Sequence, residues 1–357
     1  MRKPLIVITG VDPVAMQAAM SSLVWDLPNV VAIRHVIEPI TQQLSRFVSS
    51  LDGTVETAVI DLQHACVGCA IREDIVPTIV RLAQEPQWEN LVVCLPISAE
   101  ADHLSAAISR DPVVARYVKL TSVIASIPSE GTLSYLMNNR WLGEEGLQTG
   151  PGDPRSIGEA ASAQVEYADV VVADGQLVDV DRDFVAALTR PNSGIVMGAE
   201  NLDVMSLTAG RHVSAEAYAW RSPRSDFRIP GLGESRAWRI DLCSPRPFHP
   251  ERLLDNMELF DGPYRSRGCF WVPTRPLMAN TWDGVGGQVS IGQHSRWHPQ
   301  EPITRLVLTG VGCRPTDVYE AFASCLLSSV EMNLDAGAWL RAEDGLEPWL
   351  GDIPHAA

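Results

Sequence analysis

The sequence predicts a doubly wound α/β domain followed by a smaller α+β domain. The chain has 357 residues, enough for two domains, and 46% of them are apolar, which supplies a core for each. In the first half, apolar segments without polar alternation are separated by helical segments, a pattern typical of a parallel sheet covered on both faces. In the second half, alternating strand patterns precede a long amphipathic segment, which indicates an α+β arrangement.

The first domain is predicted to span residues 1–196. Its β-rich segments predict strands at residues 5–9, 30–37, 57–62, 90–95, 116–124 and 169–173. Helical patterns cover residues 13–24, 74–83 and 156–167, and Pro13 suits the first turn of the first helix because an N–H there has no intrahelical acceptor. The Gly-, Pro- and charge-rich stretch 143–154 is predicted to be a loop inside this domain.

The remainder divides into a linker region, a C-terminal domain and a tail. Periodicity fades over residues 197–233, where prolines and glycines recur, so this stretch is predicted to be the linker region. The C-terminal domain, residues 234–335, is predicted to have strands at 238–242, 269–273, 288–292 and 304–309 and helices at 250–259 and 315–332. Residues 336–357 contain two tryptophans and several acids, and we expect an acidic tail that docks by its aromatic side chains.

The charge balance is acidic, with 28 Lys and Arg against 44 Asp and Glu and a net charge of −16. This gives the chain no global attraction to nucleic acids or anionic lipids. No apolar run reaches the roughly 18 residues of a membrane span. Asp12 and Pro13 interrupt the short apolar start of the chain, unlike a signal peptide. We therefore expect a cytoplasmic protein with no membrane partner.

One segment reverses this balance locally. Residues 221–275 contain ten arginines against seven Asp and Glu. Such a segment could face a polyanion, so direct contact with nucleic acid stays open. Pairing of the arginines with the neighbouring acids is the favoured interpretation.

The cysteine-bearing segment His64-Ala65-Cys66-Val67-Gly68-Cys69 is the strongest candidate for chemistry. Seven cysteines at irregular spacing do not suggest a disulfide framework. Two thiols three residues apart can reach one ion, and an adjacent imidazole adds a third ligand that zinc accepts. The spacing therefore predicts a zinc site at Cys66 and Cys69 with His64. The alternative is a pair of half-buried loop cysteines.

The residues that follow resemble the signature of the CobW family of GTP-driven metal chaperones. In that signature a C-x-C-C cluster precedes Thr-Leu-Arg-Glu-Asp-Leu, and here Cys69 is followed by Ala-Ile-Arg-Glu-Asp-Ile. Cys66 and Cys69 match the outer cysteines, while Gly68 stands at the middle one. Further matches lie at Ala168-Asp169-Val170-Val171-Val172, Ser266-Arg267-Gly268-Cys269-Phe270-Trp271, Arg275-Pro276, Trp282 and Gly286-Gly287. The resemblance implies a P-loop-NTPase-like first domain, a CobW C-terminal domain and a loop for zinc or cobalt.

The nucleotide loop departs from the pattern that this resemblance implies. Family members carry G-x-x-G-x-G-K-T-T, whereas alignment from Gly10 places Pro13 and Ala15 at the later glycines. Met16 stands at the lysine and Gln17 at the Mg²⁺-binding threonine. The base-reading N-K-x-D is replaced by Ala173-Asp174-Gly175-Gln176. We therefore expect neither GTP hydrolysis nor GTP as a cofactor, because phosphoryl transfer depends on positioning and charge neutralisation.

Two functions remain open at this point. The first is zinc handling at the cysteine loop without a nucleotide switch. The second is a non-enzymatic adaptor that binds a protein partner, since the resemblance to actinobacterial members implies a role in zinc starvation and in bringing a hibernation factor to the ribosome. The two functions are compatible, because a metal loop could control partner binding. An active GTP-dependent metallochaperone is disfavoured.

Overall fold

The protein forms two compact units, Met1–Trp220 and Arg221–Ala357. The computed structural model describes residues 2–224, 229–297, 300–333, 339 and 343–353. The first unit contains, in chain order, β1 (Lys3–Gly10), α1 (Pro13–Asp26), β2 (Val30–Glu38), β3 (Gln43–Ser50), β4 (Gly53–Asp61), α2 (Val67–Ala70), a π-helical turn (Ile71–Ile75), α3 (Val76–Gln84), β5 (Asn90–Cys94), α4 (Ala101–Arg110), α5 (Val114–Tyr117), β6 (Val118–Ile127), α6 (Thr132–Leu136), α7 (Ile157–Tyr167), β7 (Val170–Ala173), α8 (Asp179–Leu188), β8 (Gly194–Met197), a 3-10 turn (Ala199–Asn201), α9 (Val204–Thr208) and α10 (Ser214–Arg221).

An eight-stranded sheet organises the first unit, in the order β4-β3-β2-β5-β1-β6-β7-β8. The six strands from β2 to β8 in that order are parallel, which confirms the predicted doubly wound sheet. Apolar clusters cover both faces: Leu5 and Val7 of β1 join one cluster, and Ile6 and Ile8 join the other. The alternation of side chains along a strand explains this division.

The sequence predicted only part of the sheet edge formed by β3 and β4. These strands extend the sheet by antiparallel pairing from β2, whereas the sequence indicated only residues 57–62 and no strand at 43–50. Strand β3 buries Leu44 and Val48 on one face and carries mostly polar residues elsewhere. A strand buried on one face only gives a weaker apolar signal than the fully buried strands of a parallel sheet.

The region after the cysteines is a longer helical stretch than the predicted helix at 74–83. Helix α2 leads through the π-helical turn into α3, and the Val76 N–H donates to the Ile71 carbonyl, five residues back. Pro77 has no N–H to donate to the carbonyl four residues before it, so regular α-helical bonding is interrupted here. π-Helical turns of this kind occur frequently at functional sites.

The predicted boundary at residue 196 is corrected by the structure. Residues 197–220, assigned to the linker region from the sequence, belong to the first unit. They form the 3-10 turn, α9 and most of α10, and they bury Leu202, Leu207 and Trp220. The Trp220 indole N–H donates to the Leu188 carbonyl at 2.8 Å. Helices this short show little periodicity, which is why the sequence suggested a linker.

A five-stranded antiparallel sheet organises the second unit, in the order β12-β11-β10-β13-β9. Its elements are β9 (Ala237–Ser244), α11 (Pro250–Asn256), a 3-10 turn (Met257–Phe260), β10 (Arg265–Phe270), β11 (Met278–Val285), β12 (Gln288–Arg296), β13 (Thr304–Val311), α12 (Val318–Cys325), α13 (Ser329–Met332) and α14 (Glu347–Leu350). Strands and helices in this arrangement confirm the predicted α+β domain.

The predicted helix 315–332 is divided in two. Leu326 is extended, which ends α12, and Ser328 begins α13 with a capping box in which its hydroxyl accepts from the Glu331 N–H. The serine therefore starts a new helix instead of continuing the old one.

Part of the predicted tail, 336–357, lies outside the described residues, namely 336–338, 340–342 and 354–357. The described part docks mainly by aliphatic and ionic contacts and less by its aromatics than predicted. Leu346 and Leu350 enter the apolar cluster, and Asp344 pairs with fully buried Arg275 at 2.9 Å. Trp339 packs edge-on against His249, whereas Trp349 is 48% exposed. No helix in the described stretches is long and apolar enough to cross a membrane.

Candidate nucleotide and metal loops

The loop between β1 and α1 lies where a phosphate-binding loop would be. Gly10 ends β1 and Pro13 begins α1, and Asp12 caps the helix between them. The Asp12 carboxylate accepts from the Val14 and Ala15 N–H groups, both at 2.8 Å. Backbone N–H groups at a helix N-terminus are the usual phosphate donors. Here the chain supplies its own anion to them.

A second group closes the same loop. The Val11 N–H donates to the Tyr135 hydroxyl at 3.3 Å. Burial raises the pKa of Tyr135, so this hydroxyl stays protonated and neutral. Together with Asp12 it gives three of the loop's N–H groups an acceptor within the protein.

Met16 occupies the lysine position and is part of the core. It is 3% exposed and joins an apolar cluster with Ile8 and Ala19. Its Cγ lies so close to Gly10 that a Cβ added at the glycine would be 2.7 Å away. Gln17, at the Mg²⁺-binding position, is exposed and donates to Ser21 along the helix at 3.0 Å. The predicted loop residues therefore lie together, with side chains turned to packing and capping.

The segment that replaces the base-reading motif is also engaged internally. The Asp174 carboxylate accepts from the Ser129 N–H at 2.7 Å, which ties the end of β7 to the loop after β6. A Cβ at Gly175 would lie 2.7 Å from the Ser129 hydroxyl oxygen. Asp174 therefore acts as a bridge between two loops.

The cysteine loop joins β4 to α2. Cys66 is the N-cap of α2, and its Sγ accepts from the Cys69 N–H at 3.3 Å. Cys66 and His64 are exposed, whereas Cys69 is 5% exposed. The His64 carbonyl accepts from the Cys66 N–H at 2.8 Å, which makes a tight turn before the helix. Helix capping thus brings the two cysteines together.

Charged neighbours surround the buried thiol. Burial raises the pKa of Cys69, and the adjacent Cys66 thiol raises it further. An Arg72 Nη2 lies 3.5 Å from the Cys69 Sγ and 2.8 Å from a Glu73 carboxylate oxygen. The hydrogen bond from Arg72 lowers the pKa of Glu73. The loop therefore holds a protonated thiol beside an ionised carboxylate.

The three predicted ligands are near one another in sequence, but their side chains do not form a ready-made site. Within the described residues there is no group of three or more His, Cys, Asp or Glu side chains arranged to hold a metal ion. The arrangement offers a pair of neighbouring cysteines, with His64 on the solvent side of the turn.

A buried ionic network anchors the helical stretch behind the cysteines. Asp74 accepts from the His35 Nε2 at 2.9 Å and also pairs with Arg46, which donates to Thr78 at 3.0 Å. The pKa of His35 is lowered, chiefly by burial. The sequence places Asp74 within the motif but does not indicate its partners, because His35 lies 39 residues away.

The loop at 143–154, predicted as a loop, supports the cysteine turn from the other side. Gly150 lies against Ala65, so that a Cβ at the glycine would be 2.4 Å from the Ala65 carbonyl oxygen. Arg155 holds this loop through Asp153 at 2.8 Å and Glu100 at 2.7 Å. Burial alone would raise the pKa of Asp153, but the bonds to Arg155 outweigh it and lower the pKa to about 2. No local sequence pattern signals this cluster.

Ion pairing accounts for several arginines of the segment 221–275. Arg252 pairs with Glu331, Arg265 with Asp283 and Arg275 with Asp344. These three acids follow the segment in the sequence, so the pairs differ from the predicted pairing with neighbouring acids. Asp226 and Arg228 are not among the described residues.

The chain thus combines an α/β sheet domain, which carries the two loops, with a separate antiparallel domain. Residues 238–326 match the family model of the cobalamin synthesis protein cobW C-terminal domain. The second unit therefore contains a CobW C-terminal domain, and the chain resembles the CobW family.

Several relatives are similar to this chain. Zinc chaperone Rv0106 of Mycobacterium tuberculosis is 24% identical over 403 residues, covering 99% of this chain and 95% of the relative. Zinc-regulated GTPase metalloprotein activator 1 of Dictyostelium discoideum is 23% identical, covering 67% of this chain and 54% of the relative. Among solved structures, zinc-bound YjiA GTPase from E. coli is 14% identical with a TM-score of 0.35, covering 91% of this chain and 99% of that one.

Proposed function

We propose that this protein is a member of the CobW family that handles zinc at the loop carrying His64, Cys66 and Cys69, and that it does so without hydrolysing a nucleotide. One observation carries the second half of the proposal: Asp12 and Met16 occupy the loop that would otherwise hold the phosphates.

The charge at the loop opposes a triphosphate. A competent loop presents free N–H groups, a lysine and a metal-binding hydroxyl. Here an aspartate carboxylate already accepts from Val14 and Ala15, and bringing a phosphate to the same place would set two anions against each other. Met16 adds no positive charge. With neither neutralising group, this loop lacks the charges that would stabilise the transition state of phosphoryl transfer.

Zinc is the cargo in this proposal. Cys66 and Cys69 supply two thiolates after losing their protons, and His64 supplies a third donor by turning towards them. A fourth position stays open for a client's ligand, which suits transfer better than permanent storage. The printed name of the mycobacterial relative, a zinc chaperone, supports the choice of metal.

Elemental analysis of protein purified without chelator tests the zinc proposal. We expect roughly one zinc ion per chain, lost in Cys66→Ser and Cys69→Ser. Cys243→Ser and Cys313→Ser are matched controls, because both cysteines are exposed and distant in sequence, and they should keep the metal. Metal-free wild-type protein, or equal metal content in all four variants, would contradict the proposal.

A GTP titration with and without Mg²⁺ tests the nucleotide half. We expect no GTP turnover. We also expect no Mg²⁺-dependent GTP binding with a dissociation constant in the micromolar range. Turnover by the wild type that disappears in Met16→Ala would show that the loop is a working site.

We propose in addition that the protein acts in the cytoplasm as an adaptor for a protein partner. A groove of about 640 Å³ beside the cysteine loop favours this function. Gly68, Ile71 and Arg72 line one side, and Arg110 and Val113 line the other. Val113 is 54% exposed. Apolar exposure flanked by arginines is suited to protein binding. The partner that the family resemblance implies is the ribosome or a hibernation factor bound to it.

Co-sedimentation with ribosomes from zinc-poor and zinc-replete cells tests the adaptor function. We expect association in zinc-poor cells, weakened by Val113→Glu. Val178→Glu is the control, because this valine is 62% exposed on another part of the unit. Absence of association in both zinc states would remove this function and leave zinc handling untouched.

A further inference from the structure

Strand β4 is the terminal strand of the eight-stranded sheet, and no strand pairs with its outer edge in the described part of the chain. An open edge presents unpaired N–H and C=O groups to any strand that approaches. Proteins usually protect such edges with lysine, proline or a β-bulge. Strand β4, with the sequence Gly-Thr-Val-Glu-Thr-Ala-Val-Ile-Asp, contains neither lysine nor proline, and its bulge lies at Val55, towards the β3–β4 turn.

Several apolar side chains lie on the exposed face of this edge. Val55 and Val59 of β4 are 46% and 65% exposed. On the neighbouring strand Phe47 pairs with Thr57, and one strand further Val36 continues the same face. Single exposed apolar residues are ordinary, but these lie on one face of three adjacent strands, with Ser45 between Val36 and Val59.

The opposite face of β4 carries little net charge. The Glu56 carboxylate lies 2.8 Å from both Arg46 and Arg81 of its own chain. These contacts neutralise the only charged side chain near the middle of the strand. An incoming strand therefore meets no strong local repulsion, although the whole chain has a net charge of −16.

The residue order of β4 is complementary to itself. In an antiparallel pair of two β4 strands centred on Thr57, Val55 lies opposite Val59 of a second copy, Glu56 opposite Ala58 and Gly53 opposite Asp61. Apolar side chains then meet apolar ones, and no carboxylate faces another. The bulge falls within β4, because Glu56 pairs with Val48 and Thr54 with Ser49, which leaves Val55 without a partner on β3. The pairing with β3 is regular from Glu56 to Asp61.

We propose that a second copy of this chain pairs with the β4 edge, forming a symmetric dimer through an antiparallel β4–β4 ladder centred on Thr57. The interface is isologous, with the same edge contributed by each copy. The two sheets become continuous across it. Because Asp61 of one copy lies opposite Gly53 of the other, the β3–β4 turn of each copy reaches the chain segment that leads to Cys66.

Sedimentation velocity across a range of protein concentrations tests the dimer. We expect the mass of the wild type to rise from that of the 39.0 kDa chain towards twice that value. Val59→Lys should remain monomeric throughout, because it places a lysine on the edge opposite Val55. Val178→Lys is the matched control, since Val178 has a similar exposure of 62%, and it should dimerise like the wild type. Circular dichroism confirms that each variant is folded.

A cysteine cross-link tests the register. In a background in which the exposed Cys66, Cys243 and Cys313 are changed to serine, Thr57→Cys should form an intermolecular disulfide on mild oxidation. Thr54→Cys should not, because Thr54 lies opposite Ile60 in this register. A wild type that stays monomeric at every concentration, or a dimer that persists in Val59→Lys, would overturn the proposal, as would equal cross-linking at positions 54 and 57.

Discussion

Asp12 determines what the first loop can do. Its carboxylate accepts hydrogen bonds from two helix N–H groups, both at 2.8 Å. These groups therefore have an acceptor without a ligand. An anion at this end of a helix is also favoured by the helix dipole. In a phosphate-binding loop those groups remain free until the nucleotide arrives. The same physical chemistry that would bind phosphate therefore stabilises the ligand-free fold here.

Removal of this cap is expected to destabilise the first unit. Asp12→Ala should lower the free energy of unfolding by about 1 kcal/mol, because two N–H groups lose their acceptor. Asp12→Ser should retain most of the stability, since a hydroxyl can accept in the same position. Urea denaturation followed by circular dichroism measures both, and equal stability of Asp12→Ala and wild type would contradict the capping role.

At the scale of elements, the helical stretch from α2 to α3 is fixed to the sheet by one buried carboxylate. Asp74 contacts His35 of β2 and Arg46 of β3, which joins the unpredicted hairpin to the residues behind the cysteines. A buried pair that loses one partner leaves an uncompensated charge, which costs about 3–5 kcal/mol. The position of the cysteine loop thus depends on strands that the sequence did not fully indicate.

The same network predicts a dependence of stability on pH. Burial lowers the pKa of His35 in the folded protein, although Asp74 opposes the shift, and the unfolded chain has an ordinary value near 6.5. The unfolded state therefore binds the proton more readily. Stability is fully present above about pH 6.5 and falls as the pH decreases towards the folded pKa, by up to about 1.4 kcal/mol per pH unit.

Denaturation of His35→Gln between neutral and mildly acidic pH measures this effect. The free energy of unfolding of this variant should lack the part of the pH dependence that one histidine contributes. His103→Gln serves as the control, because the His103 side chain is 59% exposed, and it should follow the wild type. An unchanged slope in His35→Gln would show that His35 does not cause the dependence.

At the scale of the whole molecule, the boundary between the units lies after Trp220. Residues that follow β8, the last strand of the sheet, complete the apolar core of the first unit. Leu202 and Leu207 pack in the same cluster as Ile8 and Met16. The nucleotide loop and the segment after β8 therefore share one apolar core.

Two fragments test this boundary. Residues 1–220 should fold and unfold cooperatively on their own, because both apolar clusters of the sheet are complete. Residues 1–196 should not, since the loss of Leu202, Leu207 and Trp220 removes several kcal/mol from a marginally stable unit. Circular dichroism and urea denaturation compare them, and equal stability of the two fragments would contradict the boundary at Trp220.

The sequence by itself determined the alternation of strands and helices, the parallel sheet and the α+β second unit, because fully buried strands and capped helices leave strong local patterns. It also identified Gly10, Met16, Cys66 and Cys69 by position within short motifs.

Only the tertiary structure decided what these residues contact. Asp12 turns back onto its helix, Met16 packs against Gly10, and Asp74 pairs with residues 28 and 39 positions away. The pairing of β3 with β4 and the inclusion of residues 197–220 in the first unit likewise depend on packing. Contacts between residues far apart in sequence depend on the folded backbone, so composition and spacing along the chain carry no signal for them.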